Sequence, residues 1–158
     1  MIQRIQTIWL LLASGTLLLL FLFPYLQYFD GFGVAMAIKI TGIYQGVSAG
    51  VIQTKSFILQ TITTVIVALI PLITIFNYKN RKKQLKITYL NILITLLLGA
   101  WFYFTAQSAV QDVNKSIELG NIGIGALLVP INVIFLFLAI KGIKNDEKLI
   151  KSVDRLRG

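Results

Sequence analysis

Cysteine and histidine are both absent from the 158 residues. Without thiols there is no disulfide, no thiolate nucleophile and no cysteine-held metal. Without imidazole the commonest general base is missing, and so is the usual haem and zinc ligand. Charge is scarce too. Asp, Glu, Lys and Arg supply 13% of the chain, against about 25% in a soluble domain. Acidic residues are scarcest, 6 against 15 Lys and Arg, which leaves a formal charge of +9. Any enzyme built from this set would depend on loop carboxylates. No cleft or raised pKa marks such a pair. The chain therefore reads as non-enzymatic, with no cofactor and no metal.

What remains is apolar. Hydrophobic residues make up 56% of the chain, above the roughly 45–50% of a soluble domain. High apolarity beside high positive charge argues for a membrane protein. It argues against a disordered basic tail and against a nucleic-acid-binding domain.

The charged residues divide the chain into long neutral runs. Ile5–Phe29 has 25 uncharged residues, Ser56–Tyr78 has 23, Ile87–Gln111 has 25 and Leu119–Ile140 has 22. A helix needs about 20 mainly apolar residues to cross a hydrocarbon core of about 30 Å. A buried helix of a soluble bundle would show a polar stripe, and LLLLFLF and VIFLFLAI show none. The expectation is an all-α membrane protein, one domain over residues 1–158. Its four transmembrane helices cover about 5–26, 56–78, 87–107 and 121–140. The first apolar run is too long for a signal h-region of about 7–15 residues, so it reads as an uncleaved span.

Loop charges set the orientation. Arg4, the segment KNRKKQLK at residues 79–86 and the tail at residues 141–158 carry 12 basic residues on one side. The other side, residues 27–55 and 108–120, has only Lys39, Lys55 and Lys115. The positive-inside rule places the first set in the cytoplasm. Both termini then lie inside, as an even number of spans requires.

In the first outer loop Val34, Met36, Ile38 and Ile40 alternate with smaller or polar residues, the period of a strand. The pattern predicts a small extracytoplasmic β-hairpin, residues 34–41 pairing with 51–55 across the glycines at 42, 46 and 50. The second outer loop is expected to prolong span three. In the tail, Leu149, Val153 and Leu156 fall on one helical face. They predict a short amphipathic C-terminal helix set apart from span four by Gly142.

No Asp, Glu, Lys or Arg lies within the four runs, whereas ion-coupled transporters usually keep one at membrane depth. Asn91 and Asn132 are the amides expected to pack helix against helix there. Pro71 and Pro130 are expected to kink spans two and four. On the cytoplasmic face Lys79, Arg81, Lys82, Lys83, Asp154, Arg155 and Arg157 are the candidate contacts. Their targets are anionic headgroups or other integral membrane proteins. Nucleic acid is not expected, because no stacking platform interleaves the cations.

The opening MIQRIQTIWLLLA, the inner turn KNRKKQ and the closing D-x-x-L-I-x-S-x-D-R-L-R, Asp146 to Arg157, carry a resemblance. The chain resembles small four-span membrane proteins of Bacteroidota, a family filed as a domain of unknown function. The resemblance covers the whole chain and implies a bacterial inner-membrane location. It implies no reaction, substrate or cofactor. The functional expectation is an accessory or structural subunit of a membrane protein complex. The alternative is a carrier or channel component for a neutral or lipid-like molecule, using the kinked spans, Asn91 and Asn132.

Overall fold

A computed structural model describes residues 3–48, 50–78, 80–112 and 117–157, with the side chains of those between 5 and 149. Helix α1, Gln3–Leu19, is 17 residues long, about 25 Å. It stops short of Pro24, which offers no N–H and bars helical geometry from Phe23. The expected first span of residues 5–26 is thus too long as a helix, because Leu26 already belongs to a strand.

The strand region is larger than the predicted hairpin. β1 Leu26–Phe29, β2 Ala35–Lys39, β3 Gly42–Val47 and β4 Gly50–Ser56 form an antiparallel meander in chain order. The residues read as a glycine-rich turn are β3 itself, which pairs with β2 on one side and β4 on the other. Residues 34–41 therefore do not pair with 51–55. Glycine is needed at position 42 for close approach, since a Cβ there would overlap the Lys55 carbonyl oxygen. Asp30 shapes the β1–β2 turn. Its carboxylate accepts from the N–H groups of Phe32 at 2.8 Å and Val34 at 2.9 Å, while Gly33 takes φ 78°. β4 is exposed along its length. The outer edge of β1 is covered by a 3₁₀ turn, Leu119–Asn121, through a bridge from Leu26 to Ile122.

Helix α2 spans Ile58–Phe76, α3 spans Arg81–Gln111 and α4 spans Ile124–Arg157. In α2 the hydroxyls of Thr61, Thr63, Thr64 and Thr74 each donate to the carbonyl four residues back. That satisfies them within their own helix. Asn80 caps α3 by accepting from the Lys83 N–H at 3.1 Å. The segment read as an inner turn at residues 79–86 is therefore largely the first turns of α3. At its other end α3 reaches Gln111, past the expected 107, as foreseen for the second outer loop. The separate C-terminal helix is also corrected, because α4 runs unbroken through Gly142. This glycine provides closeness rather than a break: a Cβ on it would sit 3.2 Å from Gln6 Cβ on α1.

The helices form a ring in which α1 packs on α2 and α4, and α3 packs on the same two. One apolar cluster lies beneath the sheet, with Leu17, Leu20, Ile38, Ile40, Leu98 and Phe102. Tyr25 stacks on Phe102 there, ring centres 5.3 Å apart. A second cluster joins Leu10, Ala13, Ile92, Leu136 and Ala139 toward the other end. The outside is apolar as well, with Ile62, Ile66, Leu93, Leu97, Phe104 and Ile134 exposed. Among the described residues α2, α3 and residues 124–149 of α4 are long and apolar enough to cross a membrane. An apolar exterior of this kind suits hydrocarbon and not water.

Candidate functional site

Many polar residues of the helices point inward. Gln84, Thr88, Asn91 and Thr95 lie at i, i+4, i+7 and i+11 of α3, and all are buried. On α2 Gln60, Thr64 and Thr74 are buried, on α1 Gln6, Ser14 and Thr16, and on α4 Asn132 and Asp146. Several of these bind one helix to the next. Ser14 Oγ donates to the Ala68 carbonyl at 2.8 Å, joining α1 to α2. Gln84 Nε2 donates to the Thr74 carbonyl at 3.2 Å, joining α3 to α2. Asn132 Nδ2 donates to Thr16 Oγ1 at 2.9 Å and to the Ala13 carbonyl, joining α4 to α1. Both bonds of Asn132 run from α4 to α1.

Asn91 differs. Neither its Nδ2 nor its Oδ1 has a hydrogen-bond partner among the described residues, and the same holds for Thr95 Oγ1 and Asn132 Oδ1. Their depth follows from the packing. A Cβ on Gly99 of α3 would lie 3.0 Å from Val129 Cγ1 of α4. Stepping inward from that level, Thr95 and Asn132 lie about 6 and 4.5 Å along their helices. They share one layer, with Asn91 a further turn inward. Sequence reasoning selected Asn91 and Asn132 but missed Thr16 as a partner of Asn132. It also missed Gln84 and Thr88 as members of the α3 stripe. The spacing 84, 88, 91, 95 was the available signal, and beginning the span at 87 cut Gln84 from it.

At the end away from the sheet, cations gather on two helices. Lys82, Lys83 and Lys86 on α3 are exposed, as are Lys141, Lys144 and Lys148 on α4. Arg81 Nη1 donates to the Asp146 carbonyl at 3.3 Å. Lys144 Nζ lies 5.5 Å from the centre of the Tyr89 ring. These contacts bring Arg81, Lys82 and Lys83 beside the late turns of α4. Lys79 lies outside the described residues, as do the side chains of Asp154, Arg155 and Arg157. Cations in the first turn of α3 oppose its macrodipole, a cost of about 0.3–1 kcal/mol each at a surface. Helix stability does not explain them. Asp146 is buried under this face, and its Oδ2 has no partner among the described residues.

Burial, then the carboxylates of Asp112 and Asp30, raise the pKa of Tyr28. Between α3 and α4, below the sheet, runs a groove of about 660 Å³. Leu96, Gly99, Tyr103 and Ala106 line it from α3, and Ala126, Pro130, Val133 and Phe137 from α4. It holds neither Asn91 nor Asn132. Among the described residues no group of three or more metal-binding side chains is present.

The chain belongs to the family described as Domain of unknown function (DUF4293), whose model matches residues 2–156. No curated protein and no solved structure matches it.

Proposed function

We propose that the protein is a four-span component of a bacterial cytoplasmic membrane, with both termini inside. In this reading it is a non-enzymatic accessory subunit that meets anionic lipid or a partner membrane protein through its basic face. The observation that carries this is the exposed cationic surface where α3 begins and α4 leaves the bundle. The 12 inner basic residues against 3 outer ones support the orientation. α1 is the short span, and the Leu20–Phe23 turn completes its crossing.

Two measurements test the reading. A periplasmic reporter enzyme fused after Gly120 is expected to be active, and one fused after Lys83 silent. Activity at Lys83 would reverse the topology. Purification in a gentle detergent from the native membrane is expected to retain a stoichiometric partner that crosslinks to the tail. Substituting Lys82, Lys83 and Lys86 together by Gln should release it. Recovery of a lone monomer under several mild conditions would sink the accessory role.

A second reading, a carrier for a neutral molecule, is favoured by the unmade bonds of Asn91 inside the bundle. It requires Asn91→Leu to abolish function in the cell, whereas the first reading leaves function intact.

A further inference from the structure

One edge of the sheet is closed and the other is open. The bridge from Leu26 to Ile122 covers β1. β4 ends the strand order, and no described residue pairs with its outer side. Bonded and non-bonded pairs alternate along an antiparallel ladder. Val47 and Gly50 close a two-residue turn as a bonded pair, so Gln45–Ile52 is bonded as well. Gly46–Val51 and Tyr44–Gln53 fall between them. The main-chain N–H and C=O groups of Val51 and Gln53 therefore face away from β3, about 6.7 Å apart.

Bulges and lysines commonly blunt such an edge. β4 has both, a register shift between Ile43 and Tyr44 and the nearby Lys55, but only at the end that meets α2. From Gly50 to Gln53 there is no charge and no proline. Val51 and Ile52 are 72% and 58% exposed, and they point to opposite faces of the sheet. An unpaired backbone row with apolar side chains on both faces suits an extended peptide. A lipid chain has no donor or acceptor to offer it.

A second copy cannot supply that strand. β4 runs toward the membrane, with only Phe57 between it and α2. Thr61 Oγ1, in the first turn of α2, donates to the Ile40 carbonyl at 3.3 Å, and burial falls along β3 from Gly42 to Val47. Two copies in one bilayer are related by a two-fold along its normal. That rotation makes the two β4 strands parallel, with identical residues at equal height. A parallel ladder needs the bonding residues staggered by one position, which equal heights deny.

We propose that β4 takes up an extended extracytoplasmic segment of the partner membrane protein as a fifth strand. The segment runs antiparallel to β4, the stronger pairing per residue, and carries a carboxylate near Lys55. Lys55 is exposed, and no carboxylate pairs with it among the described residues. This rests on the accessory reading and adds an outer contact to the basic inner one.

The test puts a photo-crosslinking phenylalanine derivative in place of Val51, in the full-length chain in its native membrane. Crosslinked peptides are then sequenced by mass spectrometry. The expected product is one extracytoplasmic segment of the protein that also crosslinks to the tail, with Asp or Glu beside the site. Gln53→Pro removes an outward N–H and spares the ladder to β3. The yield should fall by on the order of tenfold. Gln53→Thr keeps that N–H and loses only the side-chain bond to the Thr41 carbonyl, so its yield should be unchanged. If Gln53→Pro lowers the unfolding midpoint, Lys55→Glu gives a second comparison and should cut the yield severalfold. Crosslinks to lipid alone overturn the proposal, as do crosslinks to a second copy. An unchanged yield from folded Gln53→Pro protein overturns it too. A partner held at the tail while position 51 captures nothing overturns this proposal and leaves the accessory role standing; a lone monomer removes both.

Discussion

Alanine in place of Gly123 is expected to lower the stability of the protein by about 3 kcal/mol, measured as a shift in unfolding midpoint in mixed detergent micelles. Gly123 stands where the start of α4 crosses the chain leaving α1. Its N–H donates to the Tyr25 carbonyl at 3.1 Å, and the Gly125 N–H donates to the Pro24 carbonyl at 2.9 Å. A Cβ on Gly123 would overlap the Pro24 carbonyl oxygen. The obstacle is backbone, so no side chain can swing aside. Overpacking of this kind costs about 1–3 kcal/mol, and each backbone bond pulled apart adds about 1 kcal/mol. Gly15 is the contrast. It lies within α1 with no atom within 4 Å of its would-be Cβ. Gly15→Ala should be neutral or stabilising by up to about 1 kcal/mol, the helix propensity difference. Equal losses at both sites would show that the crossover does not carry this load.

Leucine at Asn132 and leucine at Asn91 are expected to act with opposite signs. Asn132 ties α4 to α1 through Thr16 and the Ala13 carbonyl. Losing those bonds should destabilise by roughly 0.6–2 kcal/mol, the range for hydrogen bonds between membrane helices. Asn91 has nothing to lose among the described residues and two buried polar atoms unpaired. Removing an unsatisfied buried amide recovers its desolvation penalty, about 1–3 kcal/mol. Asn91→Leu should therefore raise the unfolding midpoint. A fall instead would reveal a partner such as a bound water or small molecule. A rise in stability together with loss of function in the cell would favour the carrier reading.

Much of the helical framework was legible because charge stops where hydrocarbon begins. The run 56–78 contains all of α2, 87–111 contains most of α3, and 119–140 contains the first half of α4. The helix boundaries were less so. Polarity marked residues 79–86 as a loop, yet the Asn80 cap and the absence of Gly or Pro let α3 start at Arg81. Gly142 resembled a stop signal. Its role depends on Gln6, 136 positions earlier in the chain, which no local pattern reveals. The hairpin failed for a related reason. Gly42 and Gly46 suggest a turn by composition, but β3 uses Gly42 to let β4 pass close to its backbone. The polar interior was half visible. Asn91 and Asn132 stood out as amides in apolar runs, whereas Gln84 and Asp146 fell in the segments read as inner loop and tail, and Thr88 was not singled out within its run. Their burial arises from how α3 and α4 lean together, which is a property of the bundle and not of either segment.

The unbroken course of α4 has a mechanical consequence. Its 34 residues measure about 51 Å, some 20 Å more than the hydrocarbon core. Gly123 and Gly125 pin one end to the crossover below the sheet, and the other end carries the tail cations. No joint lies between them at Gly142. A pull on the tail is therefore passed up the helix, through Pro130, to the Pro24 crossover and the sheet, while a tail hinged at Gly142 would absorb it locally.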